Sequence, residues 1–376
     1  MSAFQRATAT VDLGAVERNC RRLRRELQPQ TELCAVVKAN GYGHGIAESA
    51  AAAIEGGAAW LAVAAATEAF ELRRRFADLP ILTMGALTDA EIDVALAARS
   101  DIGAWAPEFI ETVAARGQEV GFHPRVHVKY DTGMGRLGER DPAAVRRLLD
   151  QAAADGRVEL IGLWTHFATA DEPGSEHFKA QLERFLELAE AAEGDHPGLI
   201  RHCANSAATL SSPESHLEMV RCGVAVYGLD PFADDPAEQD LEPALELCSY
   251  VATIKRFEEG ASAGYGRRWI APRETMVAIL PIGYGDGVRR GLSGRCEVLI
   301  DAHRFPLVGT ISMDNVAVDL GPDPVGIEVG MEAVLIGARG ENRILAEDWA
   351  RTLETINYEV TCGIAARVPR SYQRRP

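Results

Sequence analysis

From Ala7 to about residue 230, short apolar runs alternate with stretches whose apolar positions recur at helical spacing. The runs predict strands at 9–13, 33–38, 60–64, 81–84, 102–104, 125–130, 160–166, 200–203 and 219–221. Helical stretches between them include 14–27, 66–75, 89–98, 142–153 and 177–192. The first strand stands apart, and the other eight mostly recur every twenty to forty residues. Strands alternating with helices mean a parallel sheet, and eight of them predict a closed (β/α)8 TIM-type barrel, with an open doubly wound sheet as the alternative.

The pattern changes after Asp230-Pro231-Phe232-Ala233-Asp234-Asp235-Pro236, which reads as a linker. Strand-like runs follow at 249–257, 275–282, 296–300, 305–308, 316–320 and 333–336, with one helical piece at 346–353. The expected organisation is a barrel over 1–235 and a mostly β domain over 236–376, the first strand (about 7–13) being open to pairing with the second domain. No internal repeat or low-complexity segment occurs.

The 376 residues suffice for two ordinary domains, and 47% of them are hydrophobic, enough for a large core. A net charge of −16 argues against nucleic-acid or anionic-membrane partners. The N-terminal residues hold no apolar stretch of signal-peptide length, and no run of membrane-spanning length occurs, so a cytoplasmic location is expected. Seven dispersed cysteines without a CxxC pair fit free thiols in a reducing compartment. His123 and His127 share an i, i+4 spacing, but the second lies on a strand and no nearby acid completes a set, so no catalytic metal is expected.

The chemistry gathers at predicted strand ends. Lys38 closes an apolar run and precedes Ala39-Asn40-Gly41-Tyr42-Gly43-His44-Gly45. At a barrel mouth such an amine is partly desolvated and becomes a usable nucleophile; a snorkelling lysine is the bland alternative. Gly133-Met134-Gly135-Arg136-Leu137-Gly138 spells G-x-G-x-x-G, yet Pro142 marks the helix start. A dinucleotide fingerprint must open a helix directly, so the glycines read instead as a bend aiming Arg136 into the mouth. His166, Asn205-Ser206 and Arg221-Cys222-Gly223 end the next strands. Small polar residues and a glycine there suit a phosphate corner. A single histidine after an apolar run also fits a satisfied core residue.

Nine segments in order resemble the alanine racemase family: 35–45, 129–138, 165–167, 205–206, 221–228, 265–267, 283–287, 313–314 and 356–370. The resemblance implies a homodimeric pyridoxal 5'-phosphate enzyme with shared active sites that interconverts L- and D-alanine for peptidoglycan. It implies that Lys38 binds the cofactor as an imine and serves as one base, with Tyr265 of the other subunit as the second. Tyr42, Ser206, Gly223 and Tyr358 would hold the phosphate, with Asn205 in the same cofactor-binding set. Arg136 would contact the ring's phenolic oxygen and the substrate carboxylate. Beside it lies Lys129, often carbamylated in the family. Arg221 would face the pyridine nitrogen, His166 would join the same polar chain, and Met313, Asp314 and Tyr284 would line the substrate side.

Departures from the commonest family pattern are Gly41, Met84, Gly264, Cys222 and Thr310, the last often an arginine in the entry corridor. None removes a catalytic group, though Thr310 bears on substrate breadth. Rival readings are a broader-range racemase, a barrel decarboxylase (which uses an acid where this chain has Arg221) and a non-catalytic pyridoxal-phosphate barrel, which needs no Tyr265.

Overall fold

The computed structural model describes residues 5–375. Residues 1–4, part of the stretch scanned for a leader, lie outside them. The chain divides into two compact units, Val16–Val226 with Gln239–Leu241, and the remainder, which comprises residues up to Ala15, Tyr227–Glu238 and everything from Glu242 on.

In the first unit eight parallel strands pair in chain order, from Glu32–Val36 through Trp60–Val63, Ile81–Thr83, Asp101–Ala104, Arg125–Lys129 and Glu159–Trp164 to Ile200–His202. Met219–Cys222 pairs back onto Glu32–Val36 and brings the sheet round on itself. The seam between Ile200–His202 and Met219–Cys222 is bridged where Arg221 N donates to Ala204 O at 2.9 Å. The expected barrel is therefore present, closed around one short seam. Its strands are apolar on both faces because helices cover the outside and side chains fill the inside.

Local chemistry sets the helix starts. Thr88 caps Asp89–Ala97, with Glu91 closing the capping box on the Thr88 amide. Asp141 accepts from Ala143 N just before Pro142, fixing where Pro142–Ala154 begins. The G-x-G-x-x-G segment opens no helix. Its Asp131 carboxylate accepts from Gly133 N and Gly135 N, and Asp131 N and Glu139 N bond to Glu139 O and Lys129 O, closing a compact loop.

The second unit is a ten-stranded sheet with a separate two-stranded piece. Thr8–Asp12 belongs to it, antiparallel to Leu245–Tyr250 and parallel to Arg370–Gln373. The single strand expected at 249–257 is two, Leu245–Tyr250 and Thr253–Phe257, which join different neighbours in the sheet. The stretch read as a linker falls within the second unit. Asp230 is buried, its N–H donates to Glu347 Oε1, and its carbonyl accepts from the Asn357 amide at 2.8 Å. These bonds satisfy the Asp230 backbone inside the unit, while Ala233 and Asp234 are exposed.

Among the described residues no helix is long and apolar enough to cross a membrane. All seven cysteines are free thiols, five of them buried.

Candidate active site

Lys38 follows the Glu32–Val36 strand and starts a turn that helix propensity does not predict. Ala39, Asn40, Gly41 and Tyr42 all take left-handed conformations, with φ of 53°, 54°, 62° and 51°. Three of these are not glycine, and each such residue costs of order 1–2 kcal/mol. Surrounding bonds hold the turn. Gly41 N donates to Val37 O at 2.9 Å, Gly43 N to Ala39 O at 3.0 Å and Ile46 N to Asn40 Oδ1 at 3.0 Å. Glu68 accepts from Ala39 N at 2.6 Å and from Ala64 N and Ala65 N at 3.1 Å. This one carboxylate therefore clamps the residue after Lys38 to the end of the neighbouring strand.

Tyr42 emerges from that turn, is buried, and reaches the corner formed by Gly223. A Cβ on Gly223 would sit 2.3 Å from the Tyr42 hydroxyl oxygen, so only glycine permits this approach. The Ser206 hydroxyl accepts from Gly223 N at 2.9 Å and from Ala225 N at 3.4 Å, which leaves its own proton to donate to an anion. Asn205 shapes the corner as a cap, its side-chain oxygen accepting from Ala208 N.

Arg221 is buried at the end of Met219–Cys222. Its NH2 donates to Thr165 O at 2.7 Å, to Cys203 O at 3.3 Å and to His166 Nδ1 at 3.4 Å; its NH1 donates to His202 O and His202 Nδ1, both at 2.8 Å. A guanidinium has no acceptor, so His166 carries its proton on Nε2. Burial, and then the charges of Arg221, Arg136, Lys129 and Lys38, push His166 well below the ordinary imidazole value. It is a neutral donor.

Lys129 is buried beneath the same mouth, with Nζ 4.2 Å from the centre of the Trp164 ring; Arg221 lies over that ring at 5.0 Å. Burial first, then Arg136 and Arg221, lower Lys129 to about 7, against a partial opposing pull from Asp131. Arg136 is exposed on the closed loop after Arg125–Lys129. The barrel thus gathers Lys38, Lys129, Arg136 and Arg221 around a neutral His166. Such an excess of positive charge suits a ligand with several anionic groups.

In the second unit Tyr265 is 73% exposed, between Gly264 and Gly266, both at φ of 74°. Tyr284 N donates to Ser312 O at 3.0 Å and Gly285 N to Met313 O at 2.9 Å, which ties the Tyr284 and Met313 loops together. Arg367 bonds both Asp286 and Asp314 at 2.8 Å, so Asp314 anchors this pair of loops. Tyr358 sits on the short helix Asn357–Cys362.

Sequence reasoning missed Glu68, Gln181 and the histidine pair His127 and His202. Gln181 is fully buried, accepts from Ala168 N and donates to His166 O and Thr132 Oγ1, so it holds the His166 loop. A glutamine on the buried face of a helix was the available signal. The i, i+4 spacing joined His127 to the wrong histidine. The structure pairs it with Asp101 and His202.

The family models "Alanine racemase, N-terminal domain" and "Alanine racemase, C-terminal domain" match residues 11–231 and 244–372. The chain belongs to the alanine racemase family. It is 44% identical to the alanine racemase of Symbiobacterium thermophilum, over 97% of this chain and 96% of the relative. Identity to the Geobacillus stearothermophilus alanine racemase is 41%, over 100% of this chain and 95% of that one. The solved alanine racemase of Streptomyces coelicolor A3(2) superposes with a TM-score of 0.93 at 39% identity, covering 98% of each chain. The expected family, the barrel followed by a strand-rich domain, and the isomerase class are thereby established.

Proposed function

We propose that the chain racemises alanine with pyridoxal 5'-phosphate, using Lys38 and the Tyr265 of a second copy as its two bases. The observation that carries this reading is the barrel mouth, where four basic side chains, Lys38 on its strained turn among them, gather around a neutral imidazole next to the Tyr42–Gly223 corner. That donor set fits the cofactor. Tyr42 and Ser206, with Asn205 and Gly223 shaping the corner, would hold the phosphate, and Tyr358 is the further phosphate ligand that the family resemblance implies. Lys38 would carry the aldehyde carbon. Arg136 would bind the phenolic oxygen and the substrate carboxylate, and Arg221 would face the ring nitrogen.

When bound, the cofactor withdraws electrons from the substrate's α-carbon and so acidifies its hydrogen. Inversion then needs a proton taken from one face and returned on the other. Lys38 Nζ and the Tyr265 phenolic oxygen are the two groups assigned to those faces. The His166 Nε2–H is a neutral donor suited to stabilising a phenolate without giving up its proton. Arg221 is held by five hydrogen bonds and has no proton to transfer at neutral pH, so it leaves the ring a weak electron sink. This favours reprotonation over transamination and decarboxylation, and separates the reading from a barrel decarboxylase. Met313, Asp314 and Tyr284 are assigned to the substrate side.

Exposure of Tyr265, Met313 and Tyr284 supports their use by a second copy of the chain. The free cysteines fit a reducing compartment, so we place the enzyme in the cytoplasm, with D-alanine for peptidoglycan as its product. The test is a panel of amino acids with chiral readout on wild type and Tyr265→Phe. Alanine inversion that collapses in the variant is expected; inversion unaffected by the change overturns the two-base assignment. Yellow absorbance of the purified protein, altered in Lys38→Ala, checks the cofactor.

A further inference from the structure

The barrel interior holds a row of polar side chains that the proton-transfer reading does not use. Arg221 NH1 lies 2.8 Å from His202 Nδ1, His202 Nε2 lies 2.9 Å from His127 Nδ1, and His127 Nε2 lies 3.1 Å from Asp101 Oδ2. At the far end Arg125 Nε approaches the other Asp101 oxygen at 3.2 Å. Both histidines are fully buried and Asp101 is 3% exposed. His202 and Arg221 stand at or near the C-terminal ends of their strands, His127 is mid-strand, and Asp101 is the first residue of its own. The row therefore runs through the barrel from the mouth to the opposite end.

Packing fixes both rings. Trp164 stacks on His202 at an interplanar angle of 4°, and Trp60 meets His127 edge-on at 83°. A Cβ on Gly162 would stand 2.4 Å from His127 Nδ1, so a glycine makes room for that ring.

The order of protons along the row has one solution. Arg221 can only donate, so His202 Nδ1 must accept and its proton sits on Nε2. His202 Nε2–H then donates to His127 Nδ1, which places the His127 proton on Nε2, aimed at the Asp101 carboxylate. Reversing His202 would set two N–H groups against each other next to Arg221, and reversing His127 would do so between the two rings. A protonated His127 would do the same. We propose that Asp101 and His127 are positioning residues that lock His202 as the Nε2–H tautomer, and through it orient the Arg221 guanidinium at the barrel mouth. Burial and the Arg221 charge also push His202 well below its ordinary value, consistent with a neutral ring. The consequence of orienting Arg221 rests on the pyridoxal-phosphate reading, whereas the proton order does not.

The test uses the purified full-length protein labelled with 15N-histidine. Long-range 15N–1H spectra, assigned by single-site replacement, should show His127 and His202 with bare Nδ1 and protonated Nε2. In His127→Phe the His202 Nε2–H loses its acceptor in a buried site, so the ring should turn away from Arg221 and its signals should shift towards a mixture of tautomers. Alanine kcat should fall about tenfold, with a smaller change in KM. Asp101→Asn gives a second variant should the first fail to fold. Its amide must present a donor to either His127 or Arg125, so the same tautomer mixing is expected. An imidazolium or an Nδ1–H form at either ring in wild type overturns the proposal. So does an unchanged His202 spectrum in a folded variant. Intact tautomers in a chain without racemase activity would support the row while sinking the racemase assignment.

Discussion

The Thr310 hydroxyl donates to the backbone carbonyl of Tyr265 at 2.8 Å. Thr310 is 6% exposed, and Gly264, just before the tyrosine, bridges to it across the backbone. The residue that departs from the family's corridor arginine thus supports the backbone of the proposed second base. Thr310→Val is expected to lower kcat up to about tenfold through one lost hydrogen bond, with KM for alanine nearly unchanged. Steady-state kinetics in both directions decide it, and an effect confined to KM would assign Thr310 to the corridor alone.

Gly264 pays for the same arrangement in conformation, with φ of 74° and a would-be Cβ 2.9 Å from Thr310 N and O. Restoring the serine common in the family at this position should therefore destabilise this chain. Gly264→Ser is expected to cost of order 1–3 kcal/mol, read as a lower denaturant midpoint.

Glu68 clamps the left-handed turn after Lys38 with three backbone bonds. Glu68→Ala should cost about 1.5–3 kcal/mol, the range for bonds to a charged group. Amide exchange should rise first at residues 39–43, because the strained conformers persist only while their surroundings enforce them. Uniform exchange across the barrel would argue against a local clamp.

Lys129, lowered to about 7 from 10.5 by burial and neighbouring cations, links stability to pH. Between those values the unfolded chain binds more protons than the folded one, so stability rises with pH across the window. Below about pH 7 both states are protonated and the penalty is constant. Urea midpoints of wild type relative to Lys129→Met should show this slope. The neutral amine also suits attack on carbon dioxide. The new N–C bond and loss of one proton leave a carbamate anion beside Arg136 and Arg221. A carbamate signal in 13CO2-treated protein, absent from Lys129→Met, checks it.

Arg221→Glu should retain the cofactor, slow racemisation and raise half-transamination, because an acid can protonate the ring nitrogen where a guanidinium cannot. The partition between D-alanine and pyruvate measures it.

Periodicity located the barrel strands to within about two residues, because a strand covered on both sides must be continuously apolar and a covering helix must be apolar on one face. The helix at 346–353 was legible to the residue for the same reason. At 230–236, read as a linker, composition did not show that Glu347 and Asn357 bond the Asp230 backbone inside the second unit. Motif reasoning singled out Lys38, Arg136, His166, Ser206 and Arg221, which the structure places at or beyond the C-terminal ends of barrel strands.

The sequence by itself determined the alternation of elements, the family and the residue types of the site, all of which depend on near neighbours along the chain. Only the tertiary structure decided that Glu68 would hold the Lys38 turn, that Thr310 would support Tyr265, and that His127 would face His202 rather than His123. Those pairings join residues from separate strands and loops, 29, 45 and 75 positions apart. Hydrogen-bond direction depends on where two side chains meet, and strand register, not spacing, sets that meeting point.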